Sequence, residues 1–102
     1  MKKKKCLYKK LPVFDFKNGN DIKYEIVWKE PSKYYAAHGL CDSPDNENPQ
    51  IWINPQLKER KLLSVVIEEI FHAFCFEKNE KTARKFASTI QKILYKLGWK
   101  KN

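Results

Sequence analysis

The run VVIEEIFHAF, residues 65–74, is apolar except for two glutamates and a histidine. An ionised side chain buried without a partner is strongly disfavoured and shifts its protonation instead. Glu68, Glu69 and His72 therefore demand partners, water or a metal ion, and that demand constrains the chain more than any other stretch. Around them, Leu62, Leu63, Val65, Val66, Ile67, Ile70, Phe71, Ala73, Phe74 and Phe76 leave almost no polar face. This pattern predicts a central, buried helix starting near Lys58. Phe74 is expected inside it, so that Phe74→Ala would cost about 3–5 kcal/mol. At roughly 100° per residue, Ser64, Glu68, His72 and Cys75 fall on one stripe, flanked by Glu69.

Asn79 has the character of an N-cap for a second helix. There Ala83, Phe86, Ala87, Ile90, Ile93, Leu94 and Leu97 mark an inward face, with Lys81, Arg84, Lys85, Gln91, Lys92 and Lys96 opposite, and Gly98 suits the C-terminal stop. Upstream the period is two. Ile22, Tyr24, Ile26 and Trp28 alternate with Lys23, Glu25 and Val27 after the turn signal KNGND, which predicts a half-buried strand. IWIN, at 51–54, is a second short strand, and Leu40-Cys41 pairs with it as a hairpin across the polar segment DSPDNENPQ. The expected class is α+β: a small N-terminal antiparallel sheet packed on two antiparallel helices, within one domain spanning 13–102 after a basic, flexible arm of 1–12.

Nineteen lysines against two arginines give a net charge of +9. Lysine is a solvated point charge, whereas arginine dominates bidentate phosphate recognition. The excess therefore supports solubility first, and non-specific nucleic-acid contact through lysines second. MKKKKCLYKKLPVF imitates the basic start of a signal peptide, but Lys9, Lys10 and Pro12 interrupt any apolar stretch. With no membrane span in view, a cytoplasmic location is expected. Cys6, Cys41 and Cys75 are odd in number and widely spaced, which favours reduced thiols over a disulfide framework.

E-E-x-x-H differs by one residue from H-E-x-x-H, in which two histidines at i,i+4 bind zinc and the intervening glutamate acts as general base. Glu69 and His72 occupy the places of base and second ligand, and Glu68 that of the first histidine. A hydrogen-bonded Glu68–His72 pair serving no chemistry is the competing account. The block IWINPQLKERKLLSVVIEEIFHAF, followed by NEKTARKFASTIQKILYKLGW, resembles the minimal zincin-type metallopeptidases of phage and prophage genomes. Gly39-Leu40-Cys41-Asp42 is similar to a short segment that often precedes the strand in that family. The resemblance covers about residues 20–100.

What it implies is a zincin-like minimal core with a gluzincin-like site, whose third ligand comes from the second helix. Glu80 is the matching position, with Glu77 as its rival. Glu68, His72 and Glu80 would then hold zinc or another divalent metal, beside Glu69 as catalytic base. Two carboxylates and one imidazole make a harder set than two imidazoles and one carboxylate, and so admit manganese or iron. Cys75 is an alternative ligand, and His38, Tyr34 and Tyr35 are alternative oxyanion donors. If Glu80 faces solvent, or a lysine or Arg84 holds Glu68, the cluster is a satisfied polar network instead.

Two functions follow from the resemblance. One is a metal-dependent hydrolase, weak or inactive because of Glu68, whose peptide or protein substrate lies along a strand edge such as IWIN. The other is a non-enzymatic phage accessory or virion-associated protein on the same scaffold. The lysines, unaccompanied by any nucleic-acid-binding motif, make specific nucleic-acid recognition the weakest reading.

Overall fold

The computed structural model describes residues 11–31 and 38–99. Four strands precede two helices: β1 (Asp15–Lys17), β2 (Lys23–Trp28), β3 (Gly39–Cys41), β4 (Gln50–Ile53), α1 (Glu59–Phe74) and α2 (Glu80–Lys96). The strands form one sheet in the order β1-β2-β4-β3. The α+β class expected from the sequence is therefore the observed one.

The sheet itself is mixed rather than wholly antiparallel. β1 pairs antiparallel with β2 and β3 antiparallel with β4, but β2 and β4 run parallel, with Ile26 opposite Ile51. The reason is the path of the chain. It leaves β2, forms the sheet edge as β3, and returns through 42–49 to insert β4 between them. Asp42 fixes that return: its backbone N–H donates to the Gln50 carbonyl at 3.0 Å, and its Oδ2 accepts from the Gln50 N–H at 2.9 Å. The buried Tyr24 hydroxyl donates to the Asp42 carbonyl at 2.9 Å.

Period-two alternation sets the core. Tyr24, Ile26, Ile51 and Ile53 point to one face of the sheet and pack with Leu62, Val65 and Ala73 of α1. β1 was not evident from the sequence as a strand; its Phe16 stacks on Tyr24 and on Phe74 at ring separations of 5.7 and 6.1 Å. The left-handed conformation in its turn belongs to Asp21 (φ 63°), and Asn18 ties the turn to α1 by donating to the Ala73 carbonyl at 3.0 Å. Of the expected arm, 1–10 lies outside the described residues. Leu11 packs against the core, and the Pro12 carbonyl accepts from Trp28 Nε1.

The connection 75–79 folds α2 back along α1. His72 meets Glu80, Phe71 meets Phe86, Glu68 meets Arg84 and Arg60 stacks on Tyr95, so the helices are antiparallel. Asn79 is the N-cap, its side chain accepting from the Thr82 N–H at 2.8 Å. Gly98, at φ 95°, follows the C-cap in a conformation that side chains resist.

Burial of the helices departs from the expected pattern at several residues; Phe76, expected inside, is 43% exposed beyond the end of α1. Phe74 is 50% exposed at the end of α1, so the large loss expected on its truncation does not apply. Phe86, Ile93 and Leu97 are exposed along α2, whose buried stripe is Ala83, Ala87 and Gln91. Small residues on that stripe bring α2 close to α1, and Gln91, expected outside, turns its carbonyl oxygen toward the Arg60 guanidinium. Cys75 is the C-cap of α1, so its backbone leaves the helical stripe on which the sequence set it.

Candidate metal centre

Helix α1 supplies three side chains to one point because residues 68, 69 and 72 lie within one turn facing β3 and α2. Glu69 and His72 are buried, at 5% and 8% exposure, and Glu68 is half-buried. Glu80 enters from the first residue of α2, directly after the Asn79 cap. One ligand atom from each of Glu68, His72 and Glu80 lies within 4.8 Å of the other two. Four zinc ligands at about 2.0–2.2 Å sit roughly 3.3–3.6 Å apart in a tetrahedron. His72 Nε2 and Glu80 Oε2, at 3.3 Å, already match that spacing. The remaining spread is within the reach of a carboxylate torsion.

His72 Nε2 carries the fit test. It is buried and, despite the nearby Glu80 oxygen, makes no hydrogen bond. A ring nitrogen left in that state between two carboxylates suits a cation better than it suits a closed hydrogen-bond network. Burial, together with the hydrogen bond and charge of Glu80, pushes the Glu68 carboxyl above the usual range; Arg84 and Lys61 oppose the shift. Glu69 is pushed up to about 8, first by burial and then by the charges of Glu68 and Glu80. This anionic crowding is what a divalent cation would relieve.

Two features pull the other way. Glu80 has a side chain 61% exposed, and Arg84 approaches Glu68. Yet the Glu80 carboxylate turns toward His72, and Arg84 Nε stands 3.9 Å from Glu68 Oε2, beyond hydrogen-bond range. Neither contact satisfies His72.

The sequence candidates separate cleanly. Glu68, His72 and Glu80 come together; Cys75 and Glu77 are not in the converging group. His38 is exposed and lines the cleft beside the cluster, whereas Tyr34 and Tyr35 lie outside the described residues. Cys41 also lines the cleft, but burial and the charge of Glu69 push its thiol up to about 12, which removes it as a nucleophile near neutral pH.

Sequence reasoning missed Gly39. A Cβ there would lie 2.8 Å from Val65 Cγ1 and 2.9 Å from both Cγ and Oε2 of Glu69. Glycine alone lets β3 lie directly over Glu69. The signal available was the position of Gly39 in the segment GLCD. Lys61, Ser64, Arg84 and Ser88 also line the cleft. Ser64 lies on the stripe expected from the sequence and Arg84 is the expected rival partner of Glu68; Lys61 and Ser88 are the two that the sequence did not mark. A separate apolar cavity of about 480 Å3, lined by Leu11, Phe14, Trp28, Leu62, Tyr95 and Trp99 among others, shares no residue with the cleft.

IWIN offers no free edge, because β4 lies between β2 and β3. Among the described residues, the sheet edge beside the cluster is β3. Among them too, no helix is long and apolar enough to cross a membrane. Fold and site together define an α+β domain with a group that could hold a metal ion. Compared with family models, with curated proteins and with solved structures, the chain matches none at a significant level.

Proposed function

We propose that the protein is a divalent-metal-dependent hydrolase, most simply a peptidase, related to the minimal zincins that its sequence resembles. The observation that carries this reading is the convergence of Glu68, His72 and Glu80 on one point, with the buried Glu69 alongside. Zinc, manganese or iron held by those three groups would supply Lewis-acid polarisation of a carbonyl and a more acidic water. Glu69 then takes the proton that the attacking water gives up, and later returns it to the leaving amine. Its buried position beside those three groups suits both tasks, since one carboxyl within reach of the reacting atoms can act first as base and then as acid. An extended peptide adds to the β3 edge by main-chain pairing, which sets its carbonyl against Glu69 across Gly39. Glu68 in place of a histidine lowers the rate, because the extra negative charge opposes hydroxide formation.

The approach of Arg84 to Glu68 and the exposure of Glu80 favour a second reading, a non-enzymatic accessory protein that keeps the scaffold. Hydrolysis of a casein digest by zinc- or manganese-loaded protein separates the two. Turnover that vanishes in Glu69→Gln, with metal binding retained, supports the hydrolase. Absence of turnover with every divalent ion supports the accessory protein.

A further inference from the structure

The cleft has two basins that share Gly39, Glu69 and Glu80. At that shared boundary Gly39 of β3 lies directly against Glu69, with no room for a Cβ. The basins differ in chemistry. The first, about 590 Å3, is lined by Lys61, Arg84, Ser64, Ser88 and His38 beside Glu68. The second, about 340 Å3, is lined by Leu40, Cys41 and Phe76, together with His72, Lys78 and Asn79. Leu40 and Phe76 are large apolar side chains left 45% and 43% exposed there.

Charge balance sharpens the contrast. A divalent cation would cancel the charges of Glu68 and Glu80. Arg84, 71% exposed and only 3.9 Å from Glu68, would then lose its electrostatic hold on that carboxylate. Lys61 of α1 and Arg84 of α2 would remain as the two strongly basic groups lining the first basin, with two serine hydroxyls able to hydrogen-bond an anion. The second basin has a single lysine and two exposed apolar groups.

Resting on the hydrolase reading above, we infer that the substrate is a peptide with an acidic residue on one side of the scissile bond and a large apolar residue on the other. The acidic side chain enters the basin of Lys61 and Arg84, the apolar one packs on Leu40 and Phe76, and the bond between them lies over Glu69. Opposite-charge contact favours such peptides, and the same two cations repel basic ones.

Quenched-fluorescent peptides with identical flanks test this, their central pairs being glutamate–leucine, lysine–leucine and alanine–leucine in both orders. Manganese- or zinc-loaded protein is assayed for cleavage, with cut sites read by mass spectrometry. Binding of non-quenched, fluorescein-labelled versions to loaded Glu69→Gln protein is read by fluorescence anisotropy. The expected result is about tenfold tighter binding and faster cleavage for glutamate–leucine over lysine–leucine in one order. The double variant Lys61→Glu, Arg84→Glu should reverse that order of preference; both positions are exposed, and a circular dichroism spectrum matching the wild type is required of it. Cleavage without an acidic preference, or a preference unchanged in the double variant, overturns the inference and leaves the hydrolase standing. Selective binding without cleavage by the loaded wild-type protein sinks the hydrolase and keeps the acidic-peptide site. Neither binding nor cleavage overturns both.

Discussion

Glu69 is the residue on which the site's chemistry and its stability meet. Its carboxyl titrates at about 8 in the folded protein against 4.5 for a free glutamate, so between those values the folded state holds more protons than the unfolded one. Stability of the metal-free protein must therefore fall as pH rises through that window. Melting in the presence of chelator should show a lower midpoint at pH 8.5 than at pH 5.5, and Glu69→Gln should flatten the dependence. A midpoint that climbs with pH would mean that Glu69 is paired with a cation in the fold. Gly39 answers for the same residue from above. Its replacement by alanine drives a methyl group into Val65 and Glu69, and overpacking of this kind costs about 1–3 kcal/mol. Denaturant melts of Gly39→Ala should show that loss; an unchanged midpoint would mean β3 can lift off α1 freely.

At the scale of elements, the sequence disclosed what local periodicity encodes. The alternation in β2 and the apolar run of α1 predict their spans closely, and Asn79 and Gly98 mark the two ends of α2 through capping chemistry alone. Glu68 and His72 were legible for the same reason, one turn apart on a helix; Glu80 came from the resemblance, which asks for a third ligand at the start of the second helix. What stayed hidden depends on partners distant in the chain. β1 is three residues long and exists by pairing with β2; the parallel β2–β4 contact depends on the return path of 42–49. Phe74 is exposed at the end of α1 beside Phe16, and Phe86 and Ile93 lie outside the buried stripe of Ala83 and Ala87 on α2. Asn18 belongs to this hidden group too. It joins the β1–β2 turn to the last turn of α1, accepting from the Asn20 and Ile22 N–H groups while donating to Ala73. Asn18→Ala should cost about 1–3 kcal/mol, because it strands buried backbone groups. Asn79→Ala, which removes an exposed cap, should cost about 1 kcal/mol. Equal losses in chemical denaturation would show that the hairpin clamp contributes no more than a surface cap.

The whole molecule carries a net charge of +9, against which the described residues set a cluster of acids at the candidate metal centre. We propose that such a charge gives at most weak attachment to DNA through phosphates, without base recognition. That attachment should collapse between about 50 and 200 mM salt and show no sequence preference in competition assays. A cation bound only to the folded state would instead raise stability, by about 2.7 kcal/mol at a hundredfold excess over its dissociation constant. The most direct test of the metal centre is isothermal titration of zinc and manganese into chelator-treated, tag-free protein. The account predicts one saturable site per chain, tighter at pH 8 than at pH 6 because the carboxylates must give up protons. It also predicts that His72→Ala and Glu80→Gln abolish the site, that Glu69→Gln and Cys75→Ser leave it, and that Glu68→His strengthens it for zinc. No saturable heat, or a site that survives both His72→Ala and Glu80→Gln, would contradict it.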